Sequence, residues 1–458
     1  MRATSSRLTI GKMREVATIG VVAGLASCYA TTLFGVSDVL DKQSQANGGA
    51  AGVVLDVVSS VFIGIALFVS AIVIANGVDT VVAGRTRQLT LLRLIGASGK
   101  QLRASMIRAV ARVAAVGAGV GLLVGVAIVG VLRAILRGRD LIPDVHYTAL
   151  PGGAVASALA VIATAIVATA VGTRRSLGAQ ALHGARPVDS RLRAVFAALL
   201  SAAGVVALVG ACLLGEHGDS PAGFLAAFVG AVLLGVGVLI GAPMFLPRLV
   251  ALAGRLGGPG SAALVARKNA VSDPRRTTRS TIGLLIGVTL ITTIAAGMHV
   301  LTASVDSWTG LTPHQVEETR QMLQTTSAIL IALIAISAVI AGVGFVSTMS
   351  LTVIARTREI GILRAMGFTG RQIRQMITLE ALALSGTAAT VGLILGVVLG
   401  AVGSQSIIGS VTSGFVIGLP WPALTAIVAA TAVVVLVASL PPSRRAVAVH
   451  PTAALATA

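Results

Sequence analysis

Long apolar runs, separated by short polar segments, set the pattern of this chain. Runs of about 20 apolar residues are long enough for a helix to cross a bilayer. A membrane barrel would instead show segments of about ten residues that alternate between apolar and polar. The pattern therefore predicts an all-α polytopic membrane protein, with spans at about 16–36, 57–80, 106–135, 151–172, 194–214, 222–246, 281–303, 325–354, 376–403 and 421–440. The loops between these spans are too short to form a large separate domain.

Two polar segments between apolar runs share one order of residues. The first covers residues 83–103 (AGRTRQLTLLRLIGASGKQLR), and the second covers residues 354–374 (IARTREIGILRAMGFTGRQIR), 271 positions later. The apolar positions of the second segment are mostly three or four residues apart, which is typical of a helix with one apolar face. That face is predicted to consist of Ile360, Leu363, Ala365, Met366 and Ile373.

Each copy of this segment ends on a Gly-x-x-Gly pair, which predicts a break in the helix and a turn of the chain toward the next span. A basic amphipathic helix lying against a membrane is suited to bind a protein partner. We therefore predict one surface that performs the same task twice. Its residues are Arg85, Arg87, Arg93, Gly96, Gly99 and Arg103 in the first copy, and Arg356, Arg358, Glu359, Arg364, Gly367, Gly370 and Arg374 in the second.

The repeat divides the ten predicted spans into two parallel units of four. Residues 1–190 would form the first unit with spans 1–4, and residues 251–458 would form the second with spans 7–10. Residues 191–250 would supply spans 5 and 6 as a two-helix linker. The repeat is parallel because both copies place the basic segment between their second and third spans. In the first spans, Thr18-Ile19-Gly20 recurs 263 positions later as Thr281-Ile282-Gly283.

The charge distribution predicts the orientation in the membrane. The net charge is +19, and Lys and Arg lie almost wholly in alternate loops. By the positive-inside rule, those loops and both termini are cytoplasmic. Aromatic residues make up only 3% of the chain, too few for a base-stacking surface. The basic residues therefore do not indicate a nucleic-acid partner.

The third span of each unit carries glycine at every fourth position. Small residues at this spacing let helix backbones approach closely in lipid. The interpretation is ordinary helix packing, with a dimerisation or gating surface as the alternative. The residues concerned are Gly117, Gly121 and Gly125 in the first unit, and Gly392, Gly396 and Gly400 in the second.

The chain shows no recognisable catalytic, metal or nucleotide motif. Its two cysteines and six scattered histidines do not have the spacing of a metal site. The stretch that ends in Gly99-Lys100 fails as a phosphate loop because Leu94 and Gln101 stand where the motif requires Gly and Ser or Thr. We therefore expect no cofactor bound by this chain itself.

Cys28 has two interpretations. Residues 25–28 match the pattern that precedes a lipoprotein cysteine, but the repeat favours a retained first span. Ionisable residues in the spans are few and close to span ends, so we expect them to be wetted rather than deeply buried. They are Asp56, Asp79, Arg133, His299 and Glu380.

Both copies of the basic segment resemble the permease domain of the FtsX-like and MacB-like ABC transporter family. The second copy carries its R-x-R-E-I-G-I-L-R-A-M-G hallmark from Arg356 to Gly367. The basic stretch at 266–277 and the exit from the last span at 441–455 add to the resemblance. The first copy departs from it because Gln88 replaces the acid found at Glu359.

The resemblance implies a permease subunit in the plasma membrane of a bacterium, served by a separate cytoplasmic ABC ATPase dimer that holds ATP and Mg²⁺. Segments 85–103 and 356–374 would be the coupling helices that dock on this ATPase, with the first coupling less tightly. The implied function is export or extraction of an amphiphilic cargo such as a lipid, peptide antibiotic or drug. One alternative is transmission of ATPase motion to an extracytoplasmic partner such as a cell-wall hydrolase. Another is an ion- or proton-coupled carrier, which the scarcity of deep charges disfavours.

Overall fold

The computed structural model describes a large part of the chain. The described residues are 13–46, 74, 98–138, 152–181, 190–218, 220–258, 260–307, 312–317, 319–321, 323–324, 327, 331, 342, 345–346, 349, 353, 356–410 and 418–433. All regular structure within these residues is helical. The predicted all-α class is therefore confirmed.

Ten helices organise the described part of the chain. In chain order they are α1 Met13–Ala46, α2 Gly99–Arg137, α3 Gly152–Ala181, α4 Ser190–Glu216, α5 Ser220–Ala253, α6 Ser261–Ser272, α7 Pro274–Ser304, α8 Thr357–Ala365, α9 Gly370–Ile408 and α10 Trp421–Val433. Short 3₁₀ turns at Gly254–Gly257 and Val305–Ser307 follow α5 and α7. Several helices run beyond the predicted spans because hydropathy marks only their apolar middle, whereas caps decide where they end.

Six of these helices, α2, α3, α4, α5, α7 and α9, are long and apolar enough to cross a membrane. Two shorter apolar helical stretches, Ile19–Gly35 and Trp421–Val433, lie in α1 and α10. Large apolar side chains such as Val116, Leu123 and Val206 are exposed on the helix surfaces, as expected of helices that face lipid. The protein is therefore a polytopic membrane protein. The predicted spans 57–80 and 325–354 lie, for most of their length, outside the described residues.

The chain forms two compact units. One contains Met1–His183 with Val339–Leu351, and the other contains Gly184–Ala338 with Thr352–Ala458. In the first unit, α2 packs along α1, and α3 packs against both. In the second unit, α7 packs along α9, and the hairpin of α4 and α5 packs on α9. The helices assigned by sequence to a linker therefore lie within the second unit.

Close approach of two backbones joins α1 to α2. A Cβ atom added at Gly125 would lie 2.7 Å from Cβ of Thr31 and 2.9 Å from the carbonyl oxygen of Cys28. A Cβ added at Gly121 would overlap the carbonyl oxygen of Gly24. The buried Ser27 hydroxyl also donates a hydrogen bond across this pair. In the first unit, the glycine stripe is thus covered by α1 of the same chain.

The equivalent pair in the second unit packs in the same way. A Cβ added at Gly392 would lie 2.9 Å from Cγ1 of Val288, and one at Gly400 would lie 2.8 Å from the amide nitrogen of Gly297. Such distances leave room for glycine and for no larger residue. The glycine stripe of α9 is covered by α7.

Helix packing and sequence alignment relate the first spans of the two units by offsets that differ by two residues. Thr31 faces Gly125, and Thr292 faces Gly396, so the two threonines occupy equivalent places 261 positions apart. The Thr-Ile-Gly triplets instead align 263 positions apart. Packing follows the side chain that fits over the glycine, whereas the alignment follows residue identity.

Candidate functional site

The second basic segment folds as the short helix α8 followed by a tight turn. Gly367 has a φ of 95°, a conformation that favours glycine. Its N–H donates to the carbonyl of Arg364 at 3.0 Å, and the N–H of Phe368 donates to the carbonyl of Leu363 at 3.0 Å. These two bonds satisfy carbonyls that the end of the helix would otherwise leave unpaired. The predicted break in the helix is confirmed in this copy.

A capping box starts α9 directly after this turn. The N–H of Thr369 donates to Oε1 of Gln372 at 2.8 Å, and the N–H of Gln372 donates to the Thr369 hydroxyl at 3.3 Å. The first copy has the same arrangement 271 positions earlier, where Ser98 and Gln101 exchange bonds of 3.0 and 3.2 Å at the start of α2. The Ser/Thr-x-x-Gln pattern that signals this box was readable in the sequence. Sequence reasoning considered only the glycines and missed it.

One face of α8 is seated on a hydrophobic cluster. Ile360 is buried, and Leu363 packs beside it against α6 and the first turns of α9. The buried members of the cluster are Ala262, Ala266, Val353, Ile360, Ile373, Met376 and Ile377. The basic stretch at 266–277 contributes to this support, because its first part lies in α6. This packing holds α8 against α6 and the first turns of α9.

The opposite face of α8 is open. Ile362 and Met366 are exposed, Met366 at 66% of its surface. Arg371 and Arg374 are also exposed, at the start of α9. Two residues of the predicted apolar face, Ala365 and Met366, are therefore exposed rather than packed, and Met366 lies in the turn that follows the end of α8 at Ala365. The exposed surface combines an apolar pair with positive charge.

A buried ion pair joins the start of α8 to the body of α9. Nη1 of Arg356 lies 3.3 Å from Oε2 of Glu380, and Nε of Arg356 lies 2.8 Å from Oε2 of Glu359. Glu380 is only 6% exposed, whereas Glu359 is exposed on the surface of α8. Arg356 therefore links an exposed carboxylate to a buried one on another helix.

This pair corrects the expectation that Glu380 is wetted. The carboxylate is buried because an arginine 24 positions earlier in the chain compensates its charge. Arg133 also differs from the expectation of a wetted side chain, because its side chain is only 11% exposed. Its Nη2 donates to Asp38 at 2.9 Å and to the carbonyl of Gly35 at 3.3 Å. His299 is exposed. Asp56 and Asp79 lie outside the described residues.

Some predicted site residues are only partly described. Gly99 is exposed at the start of α2, and Arg103 is half-buried with its Nε making no hydrogen bond. The side chain of Arg358 lies outside the described residues. The same holds for the whole of Arg85, Arg87, Arg93 and Gly96.

The described residues contain no group of three His, Cys, Asp or Glu side chains that could hold a metal ion. Cys28 and Cys212 are free thiols. Cys28 lies in the middle of α1, and its backbone contacts the glycines of α2. Cleavage before Cys28 would remove the part of α1 that packs against Gly117 and Gly121.

Comparison with known proteins places this arrangement in context. The sequence model of the FtsX-like permease C-terminal family matches residues 60–181 and 331–451, together more than half of the chain. Each matched segment contains one copy of the basic segment.

Named relatives share part of the sequence. A macrolide export ATP-binding/permease protein MacB of Brucella abortus is 34% identical over 141 residues, which cover 31% of this chain and 21% of the relative. A pyoverdine export ATP-binding/permease protein PvdT of Pseudomonas entomophila is 30% identical over 129 residues, or 28% of this chain and 19% of the relative. The chain thus matches about a fifth of the length of these relatives.

Proposed function

Since this chain belongs to the FtsX-like permease family, we propose that it is the membrane subunit of an ATP-driven ABC exporter. A separate ATPase dimer docks on its two basic segments, holds ATP and Mg²⁺, and pushes on the spans that follow. The basic segments and both termini face the cytoplasm of a bacterial cell. Support for the proposal comes from the structure as well as from the family, because the second segment presents an exposed surface suited to a protein partner.

The exposed face of α8 carries this proposal. Ile362 lies on α8, whose other face packs in a hydrophobic cluster, and Met366 lies four positions later in the turn that follows α8. A pair of apolar side chains, with Arg371 and Arg374 close by in the chain, is suited to an interface with an apolar centre and a charged rim. A docked ATPase would push on a helix that cannot yield independently of α9.

The cargo that we propose is amphiphilic and reaches the protein from the membrane. Two relatives are named for the export of a macrolide and of pyoverdine. Stimulation of ATP hydrolysis by an amphiphilic compound such as a macrolide, in nanodiscs that contain the purified complex, tests this part of the proposal. ATP hydrolysis that no amphiphilic compound stimulates would contradict it.

Docking is tested by placing a charge on the exposed surface that α8 and the turn after it form. The full chain is purified with its ATPase, and the affinity between the separated subunits is measured for Met366→Glu. We expect binding to weaken about tenfold or more, because a central apolar anchor of an interface commonly contributes about 2 kcal/mol. Met366 is exposed, so the substitution leaves the fold intact.

Leu419→Glu is the matched control for this experiment. Leu419 is exposed and follows the Ile408 end of α9, away from α8. It receives the same added charge and should bind the ATPase as the unchanged chain does. Equal effects of the two substitutions would overturn the docking surface. If the chain purified from its native membrane brings no ATP-hydrolysing activity with it, the exporter function is overturned.

A further inference from the structure

The second basic segment is tied to its span through one buried carboxylate. Glu380 lies in α9, ten residues after the helix begins, and is almost fully buried. Arg356 reaches it from the start of α8 and also binds Glu359 one turn further on. The guanidinium thus holds three places together: the first residue before α8, the first turn of α8, and the body of α9.

Packing alone does not make this tie. The hydrophobic cluster under α8 consists of alkyl side chains, and such contacts are non-directional. An ion pair with hydrogen bonds fixes both distance and direction. If α8 moved alone, Arg356 would separate from Glu380 and leave a carboxylate whose charge is costly to bury. A displacement of α8 therefore has to move α9 with it.

The first copy lacks both carboxylates of this network. Gln88 stands 271 positions before Glu359, and Ala109 stands 271 positions before Glu380. Ala109 lies in α2, the helix equivalent to α9. The corresponding arginine, Arg85, is present in the sequence. At the position of Ala109, α2 therefore offers no acidic side chain.

At the far ends of α2 and α9 the difference is reversed, because there the ion pair lies in the first unit. In the first unit, Arg133 near the end of α2 pairs with Asp38 of α1 at 2.9 Å. Its counterpart in α9, 271 positions later, is Ser404, which donates a neutral hydrogen bond to the carbonyl of Gly297 at 2.8 Å. An ion pair thus holds the first unit at the end away from its basic segment, and the second unit at the end that carries the basic segment.

We propose that Glu380 is a positioning residue that couples α8 to α9, and that the two copies therefore pass on force unequally. Motion of a docked ATPase moves α9 through Arg356 and Glu380, whereas α2 receives a smaller displacement and is held at its far end by Asp38. The unequal coupling rests on the proposed function, but the tie between α8 and α9 does not.

The tie itself is tested without any nucleotide. Hydrogen–deuterium exchange is measured by mass spectrometry on the full chain in phosphatidylethanolamine–phosphatidylglycerol nanodiscs. In Glu380→Gln, we expect exchange of the α8 amides to rise about tenfold, which corresponds to about 1.4 kcal/mol in the free energy of local opening. Glu359→Gln is the matched control, because it removes an exposed carboxylate from the same arginine and should change this exchange little.

A double variant separates positioning from a loss of fold. Arg356→Met combined with Glu380→Met removes both charges, so no unpaired charge is left in the interior. We expect thermal unfolding close to that of the unchanged chain, together with the same rise in exchange of α8. If exchange of α8 in Glu380→Gln and in the double variant equals that of the unchanged chain, the tie is refuted.

The unequal coupling is tested with the ATPase bound. Trapping the complex with ATP and vanadate should change exchange in the first turns of α9 more than in the first turns of α2, and Glu380→Gln should abolish the difference. Equal changes in the two helices of the unchanged chain would refute unequal coupling. No change anywhere in the chain would refute the exporter function instead, and would leave the result on the tie standing.

Discussion

Gly215 provides the sharpest test of how the α4–α5 hairpin is held in the second unit. It lies at the end of α4, where a Cβ atom would be 2.6 Å from the carbonyl oxygen of Gln405, 2.8 Å from Cα of Ser406 and 2.9 Å from the carbonyl carbon of Ser406. All three are backbone atoms of α9, which no side-chain rotation can move aside. Gly215→Ala therefore requires α4 and α9 to separate.

The size of the effect follows from these distances. Ordinary contact of a Cβ atom begins at 3.4 Å, so the helices have to move apart by about 0.8 Å. Overpacking of this kind costs about 1–3 kcal/mol. For a unit of this size, each kcal/mol lowers the unfolding temperature by about 2–4 °C. We expect Gly215→Ala to lower the unfolding temperature by about 2–12 °C.

The chain supplies its own reporter for the assay. Cys212 lies in α4, one turn before Gly215, and Cys28 is the other cysteine of the chain. In a Cys28→Ser background, reaction of Cys212 with a maleimide dye during heating follows the opening of α4 from its neighbours. The unfolding temperature is read from the midpoint of this reaction.

Gly210→Ala is the matched control on the same helix. A Cβ atom at Gly210 meets no atom within 4 Å, and alanine is a better helix former than glycine by about 1 kcal/mol. This variant should unfold at the same temperature as the unchanged chain or slightly above it. Equal shifts for Gly210→Ala and Gly215→Ala would refute the argument that backbone contact with α9 is what requires glycine.

Three further predictions concern single positions. Gly121→Ala should lower the unfolding temperature reported by Cys28 labelling, because the added Cβ overlaps a backbone carbonyl of α1. Gly119→Ala should not lower it, because a Cβ there meets open space, and equal shifts for the two variants would contradict this. Gly367→Ala should destabilise the turn after α8 by about 1–2 kcal/mol, because its φ is 95°, and unchanged amide exchange there would show that the turn tolerates a side chain. Thr369→Ala should cost about 0.5–2 kcal/mol at the start of α9, measured as faster exchange of its first-turn amides, and equal exchange would show that the capping box contributes nothing.

The helical spans were predictable from sequence because lipid leaves the backbone little choice. A segment that crosses a membrane must satisfy its own hydrogen bonds, and an isolated apolar run does so as a helix. All six described helices that are long and apolar enough to cross contain a predicted span. The break before Gly370 was also readable, because Gly367 supplies a conformation that other residues rarely adopt.

The sequence also carried signals that were not used. The Thr369-x-x-Gln372 pattern and its copy at Ser98 mark the starts of α9 and α2 more directly than the glycines do. Periodicity placed Met366 on the apolar face of the basic helix with Ile360 and Leu363, yet Met366 is exposed and the helix ends one residue earlier. A periodic pattern gives the face of a residue only while the helix continues.

By itself, the sequence determined the class of protein, the position of most spans, the two-copy repeat and the basic character of each segment. These properties depend on composition and local order along the chain. Only the tertiary structure decided that α4 and α5 pack within the second unit, and that Thr31 and Thr292 occupy equivalent places over their glycines. It also decided that Glu380 is a buried partner of Arg356 rather than a wetted carboxylate. The physical reason is that the cost of burying a charge depends on what a neighbouring helix brings to it, and that neighbour is chosen by packing in three dimensions.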